Sequence, residues 1–243
     1  MENKNNLGVI IAIIVVLLLG VGAYLYGGTG TARNLFSGDG KNFLNLNASD
    51  NSSGSKGQNI PDITTDDHTR GNINTAKIAV VEYSDLECPF CKRFHETMNQ
   101  VMSEYKDQVV WVYRHFPLES LHSKAKHEAV AAECAATLGG NDMFWQYIDK
   151  VFEVTPSNDG LDPSLLPTLA SEVGLDKTAF ATCLAKNDLT KIEAQIAEAE
   201  DNGAEGTPFP IIIGADGTKT ALAGALPFSD LKKLLDAELA KAK

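Results

Sequence analysis

The chain has 243 residues, enough for one domain of ordinary size with extensions. Its formal net charge of −11 lacks the surplus of Lys and Arg that a phosphate-binding face needs, which argues against nucleic acid as a partner. Four cysteines are too few for a disulfide scaffold, although an even number leaves room for two bridges.

In chain order, a short tail (1–6) precedes LGVIIAIIVVLLLGVGAYLY at 7–26, a run without charge. A helix of about 20 apolar residues spans about 30 Å of hydrocarbon. A signal peptide has a shorter apolar core, about 7–15 residues, followed by a small-residue cleavage site. Here the one such site, VGA at 21–23, lies inside the run. The run therefore reads as an uncleaved single-pass transmembrane anchor, with Tyr24 and Tyr26 at a membrane interface. The flanking charges hardly bias its orientation. A single N-terminal anchor itself suggests that the body lies outside the cytoplasm, on the periplasmic or extracellular side. From 27 to 66 the chain is rich in Gly, Ser, Asn and Asp. A stretch such as NASDNSSGSKGQN cannot bury enough surface to offset its ordering entropy, so 27–66 reads as a flexible linker.

The ordered body is expected over 67–243. KIAVVEY (77–83) is short and β-branched, a buried strand. After CPFC (88–91), Phe90, Phe94, Met98, Val101, Met102 and Tyr105 recur at spacings of three and four, an amphipathic helix. QVVWVYRHF (108–116) is a second strand, which completes a βαβ unit. A helical region of about 118–202 follows, Ala-rich at first and then aromatic on one face. The pattern then returns to β. PFPIIIG (208–214) and TKTALAG (218–224) are strands joined by a turn at Asp216-Gly217. A final helix has Ser229 as its expected N-cap, with Leu231, Leu234, Leu235 and Leu239 on one face. The order is βαβ, a helical insert, then ββα.

Cys88 and Cys91 admit two readings. A structural zinc site needs four ligands, usually two such pairs or a CxxC with paired histidines. Cys134 and Cys183 have no close cysteine partner in sequence, and His122 and His127 are not at a usual ligand spacing. No metal site is expected. The redox reading has a direct physical cause. A cysteine at a helix N-terminus meets unpaired N–H groups and the positive end of the helix dipole, and both favour the thiolate. Pro89 follows Cys88, where its fixed φ starts a helix and its missing N–H costs nothing. Cys91 lies one turn in, partly shielded and within reach of Cys88. Cys88 would meet a partner thiol and Cys91 would resolve the mixed disulfide. A CxxC beside a βαβ pattern is the usual sign of a thioredoxin-like site.

Four segments make the resemblance specific. GNINTAKIAVVEYSDLECPFC, WVYRHFPLESLHSKAKHEAVAAECAA, FATCLA and GAEGTPFPIIIGADG resemble, in order, the segments of DsbA-like thiol–disulfide oxidoreductases. The resemblance covers 67 to the C-terminus and implies an α/β, thioredoxin-like fold with an inserted α-helical domain. It implies that Thr207-Pro208 is a cis-proline loop beside the CxxC, able to pair with an extended substrate. It implies that Glu82 is a buried acid relaying the proton of Cys91. It implies that Cys134 and Cys183 form a second bridge, against the alternative of two buried free thiols. Closing a loop of about 50 residues is worth up to about 4 kcal/mol in the chain-entropy model.

The dipeptide between the cysteines, Pro89-Phe90, departs from the strongest oxidants of that family, which carry histidine at its second position. Phe90 offers no charge, and Asp85 and Glu87 oppose a thiolate, with Lys92 and Arg93 in partial compensation. A milder oxidant is expected. Pro210 removes a backbone donor just after the expected cis-proline. His115, His122 and His127 show no triad pattern and read as surface or packing residues. The expectation is a membrane-tethered extracytoplasmic dithiol oxidase that needs no bound cofactor. It would act on reduced exported proteins and be reoxidised by a quinone-linked membrane thiol oxidase. An isomerase or reductase could use the same cysteines, but the polar 27–66 stretch is too poor in apolar residues to be a dimerisation domain, which favours a monomer.

Overall fold

The computed structural model describes residues 56–242. Among the described residues five strands, β1 (His68–Arg70), β2 (Ile78–Ser84), β3 (Val109–His115), β4 (Phe209–Ile213) and β5 (Lys219–Ala221), form one sheet in the order β1-β3-β2-β4-β5. The central pair, β2 (Ile78–Ser84) and β3 (Val109–His115), is parallel and joined by α1 (Pro89–Tyr105). Every residue of both strands is buried, as a parallel pair covered on both faces requires. The period-2 rule divides their side chains between two layers. Ile78, Val80, Trp111 and Tyr113 pack with α1 and the C-terminal helix α6 (Phe228–Lys241). Val81, Tyr83 and Val112 pack on the opposite face with Ile211 and Phe209.

β4 (Phe209–Ile213) runs antiparallel to β2, and β5 (Lys219–Ala221) closes that edge. Pro210 stands opposite Glu82 in this central strand. Its carbonyl accepts the Leu222 N–H at 2.8 Å, so its missing N–H would also face the β5 side, just past the end of that short strand. No bond of the β2–β4 ladder is lost there. Gly217 takes φ +79° in the turn between β4 and β5, a conformation that suits glycine.

Between β3 and β4 lie four helices: α2 (Ala125–Val154), α3 (Leu166–Glu172), α4 (Lys177–Leu184) and α5 (Thr190–Asp201). Gly140 breaks α2 with φ +75° and ψ −170°, so the Ala-rich and aromatic halves are two helical pieces. Asn141, just after the break, accepts from the Thr69 N–H at 2.9 Å and donates to the Thr69 carbonyl at 2.8 Å. That clamp holds β1 (His68–Arg70), a strand the sequence pattern does not predict, antiparallel to β3.

Two expectations are corrected. The expected linker ends at 66, but 56–66 belongs to the folded body. Ile60 is buried against Val81 and Ile211, and the Arg114 guanidinium donates to the carbonyls of Pro61 and Asp62 and to the Asp67 carboxylate. Backbone carbonyls do this docking, and composition does not reveal them. Ser229 is not the N-cap of α6: extended Pro227 holds that position and Ser229 lies in the first turn. The expected anchor (7–26) and most of the linker lie outside the described residues. Among the described residues no helix is long and apolar enough to cross a membrane.

Candidate active site

β2 ends at Ser84, and the chain passes through Asp85-Leu86-Glu87 into α1. Cys88 caps that helix in an extended conformation, with Pro89 at its first position. The fixed φ of proline and its lack of a donor suit this turn. The Lys92 N–H donates to the Cys88 carbonyl at 3.0 Å, so the helix is wound tightly under the reactive cysteine. Cys88 and Cys91 are free thiols. Cys88 is 4% exposed and Cys91 fully buried, deeper than the partial shielding expected from sequence.

The two sulfurs are driven apart in acidity. The Cys91 thiol bonds to the Cys88 sulfur and is the largest influence lowering its pKa, to about 6. Contacts with Thr207 and the N–H groups of Cys91 and Phe90 act in the same direction, against burial. Burial first, then the bond to Cys88, pushes Cys91 well above its ordinary value. One cysteine is thus poised as a thiolate at neutral pH, and the other is held as a thiol.

Thr207-Pro208 is a cis peptide bond. The Thr207 carbonyl oxygen lies 3.4 Å from Cys88 Sγ, so the loop before β4 and the start of α1 meet at one sulfur. A shallow groove of about 440 Å³ runs beside this loop, lined by Gly206, Thr207, Pro208 and Leu222 among others. Phe90 is 53% exposed beside the cysteines, with the Arg93 guanidinium 4.9 Å from its ring centre.

Glu82 is fully buried in β2, the strand that leads to the pair. Burial is the main influence raising its pKa, to about 7, tempered by Ser84 and Trp111. The Trp111 indole N–H donates to Glu82 Oε2 at 2.9 Å, while Oε1 has no partner. Its charge also bears on Cys91, which sets it near the resolving thiol. A carboxyl that changes protonation near neutral pH next to a high-pKa thiol can exchange a proton with it.

Cys134 of α2 and Cys183 of α4 are bonded to each other, with Cα atoms 5.8 Å apart. They are therefore not available to a metal beside the CxxC. Among the described residues no group of three or more His, Cys, Asp or Glu side chains is arranged to hold a metal ion.

Three residues near the site were missed as partners in the sequence. His122 Nδ1 donates to Asp85 Oδ2 at 2.8 Å, and both side chains are buried. His115 is fully buried on Glu133, at 2.9 Å, so it is a packing residue and not a surface one. Glu128 of α2 is fully buried, and burial, then the neighbouring Glu87, pushes its pKa up to about 10. The signal for all three is spatial, and no short motif carries it.

The family model described as Thioredoxin matches residues 64–237. Among solved structures, DsbA2 of Pseudomonas aeruginosa is 29% identical with a TM-score of 0.58, over 70% of this chain and 93% of that one. BdbD of Bacillus subtilis, in its oxidised form, has a TM-score of 0.64 over 74% of this chain and 96% of that one, and at 19% identity it speaks for the fold alone. Among curated proteins, the Na(+)/H(+) antiporter NhaA 1 of Mycolicibacterium vanbaalenii is 34% identical over 148 residues, 59% of this chain. The matched stretch spans 23% of that antiporter, about a quarter of its length.

Proposed function

The chain belongs to the thioredoxin family, and from that premise we propose that it is a thiol–disulfide oxidoreductase working as a dithiol oxidase. The observation that carries this reading is the placement of the CxxC: Cys88 caps α1 with its Sγ 3.4 Å from the Thr207 carbonyl oxygen, and Cys91 lies fully buried one turn in, an arrangement that lowers the Cys88 pKa to about 6 and raises that of Cys91. A stabilised thiolate favours the reduced form, and a pair whose reduced form is favoured is an oxidant.

In this reading a substrate thiolate attacks Cys88 Sγ of the Cys88–Cys91 disulfide. The S–S bond breaks, and Cys91 leaves with the electron pair and takes a proton, with Glu82 as the nearby donor. The second thiolate of the substrate then attacks its own sulfur in the mixed disulfide. Cys88 leaves as a thiolate, the better leaving group because of its low pKa. Two electrons pass from the substrate dithiol to the enzyme, and the substrate gains one disulfide. The backbone at Thr207-Pro208 would pair with the substrate strand. The chemistry needs no bound cofactor.

The substrates would be reduced exported proteins, and a quinone-linked membrane thiol oxidase would restore the disulfide. The body would lie outside the cytoplasm, tethered through 7–26. Two features support that location: the uncharged apolar run, and a bridged Cys134–Cys183 pair of a kind that oxidising compartments preserve. Ion transport is not proposed for this chain, because the antiporter name describes proteins of which it matches about a quarter.

The deciding experiment equilibrates the full chain with glutathione buffers and reads the Cys88–Cys91 thiols by mass. The expected potential lies above about −200 mV and below the roughly −120 mV of the strongest oxidants of this kind. A value near about −270 mV would make the protein a reductase. No bridge at any poise would return the CxxC to the metal reading.

A further inference from the structure

Two acids precede the reactive cysteine, and both are buried. Left uncompensated, each would oppose a thiolate at Cys88. Glu87 lies beside Glu128, whose pKa burial and the neighbouring Glu87 raise, and Glu87 Oε2 accepts the Gly160 N–H at 3.2 Å. Asp85 is built into the redox centre itself. Its N–H donates to Cys91 Sγ at 3.4 Å, and its carbonyl accepts the Cys88 N–H at 3.1 Å. Its carboxylate accepts from the Glu87 N–H, the Leu118 N–H and His122 Nδ1, each at 2.8 Å. Leu118 and His122 lie on the segment that leads from β3 into the helical insertion.

We propose that His122 is a positioning residue for the redox centre: as an imidazolium bonded to Asp85, it cancels the buried negative charge beneath Cys88 and so favours the Cys88 thiolate. Burial works against a charged imidazole, but the Asp85 bond, with the charges of Asp85, Cys88 and Asp159, outweighs it and raises the pKa of His122. Lys124 is turned away, its ammonium on the carbonyls of Asp159 and Leu161 at 2.6 and 2.9 Å. Phe90, within the CxxC, carries no charge, the Lys92 ammonium is engaged by the carbonyls of Thr155 and Glu153 at 2.7 and 3.4 Å, and the Arg93 guanidinium lies over the Phe90 ring, so neither is bonded to Asp85. The compensating charge therefore comes from the insertion, which thereby sets the acidity of a cysteine on a different part of the chain.

The proposal rests on the thiol–disulfide reading above. Its test follows the ultraviolet absorbance of the thiolate against pH in the reduced full chain, for wild type and His122→Asn. Asparagine keeps a donor near the position of Nδ1 and removes the charge. The ionisation constant of Cys88 is expected to fall by about threefold or more in the variant, with the two curves converging above the pH at which His122 deprotonates. An unchanged midpoint, in a variant that melts like wild type and still closes its Cys88–Cys91 bridge, overturns the proposal and leaves the redox reading standing. A wild type that forms no such bridge overturns both. Should the variant not fold, the wild type alone decides. The His122 imidazole, followed by NMR, must titrate at higher pH in the reduced protein than in the oxidised one, because only the reduced form carries the thiolate. Equal midpoints refute the proposal.

Discussion

At the residue scale, the division of labour within the CxxC gives a direct test. In Cys91→Ser the buried resolving thiol is gone, while Cys88 keeps its place at the head of α1. Mixed disulfides should then accumulate at Cys88 and be visible on non-reducing gels, whereas Cys88→Ser should capture nothing. Glu82 adds a pH-dependent test. Its carboxyl is raised from 4.5 to about 7 in the fold. Between those values the folded protein binds a proton that the unfolded chain has lost, so stability falls as pH rises through this window. The full cost, about 3 kcal/mol, is present above the folded pKa. Glu82→Gln keeps an acceptor for the Trp111 indole and should be more stable than wild type by about that amount at pH 8, and about equal at pH 4, in urea unfolding. A gain of the same size at both pH values would assign the effect to packing and not to charge. The places of these three residues were legible because a β-branched run entering a helix fixes where they stand, whereas a role for Glu82 came only with the family resemblance. What could not be read was the fate of Asp85 and Glu87. In sequence they are two bare charges, and only the fold brings His122 and Glu128 against them.

At the scale of elements, both halves of the sheet were legible, since buried strands announce themselves by composition and α1 by its period. β1 was not: His68, Thr69 and Arg70 carry no strand pattern, and the Asn141 clamp and β3 make the strand. That clamp depends on the break at Gly140, whose φ of +75° and ψ of −170° only glycine adopts at low cost. A Cβ there would meet nothing within 4 Å. Gly140→Ala should therefore lose about 1–3 kcal/mol through backbone strain alone, with no steric clash to relieve. An unaltered urea midpoint would show that the break can reform as continuous helix. The insertion is fastened separately by Cys134–Cys183, 49 residues apart. A Cys134→Ala, Cys183→Ala double variant should lose about 4 kcal/mol by loop-closure entropy. Spacing alone could not decide that pairing, because the two cysteines meet only when α2 and α4 pack.

At the scale of the whole molecule, redox state and stability are the same free energy seen from two sides. In an unfolded chain the Cys88 thiol has its ordinary value of 9.0, and in the folded reduced protein it ionises near 6. Between those values the unfolded chain holds a proton that the folded protein has released, so the reduced form gains stability as pH rises, at about 1.4 kcal/mol per unit. That contribution is complete above the unfolded value and is lost as pH falls through about 6. The oxidised protein has no thiol at Cys88 to titrate. Glu128, pushed up to about 10, and the buried His95 and His115, whose pKa values burial lowers, are present in both forms and cancel to first order, whereas Glu82 and His122, which the Cys88 charge raises, take up part of the slope, and Cys91, raised well above its ordinary value, acts only at the top of the range. The stability gap between reduced and oxidised protein should therefore widen from about pH 6 to pH 9, by up to about 1.4 kcal/mol per unit. Urea unfolding of both forms across that range, with Cys134–Cys183 intact in each, measures it. By the thermodynamic cycle, the same gap is the amount by which folding makes the Cys88–Cys91 disulfide easier to reduce than in an unfolded chain. A gap that stays flat with pH would leave the thiolate without influence on folding, and the oxidising direction would have no source at this site.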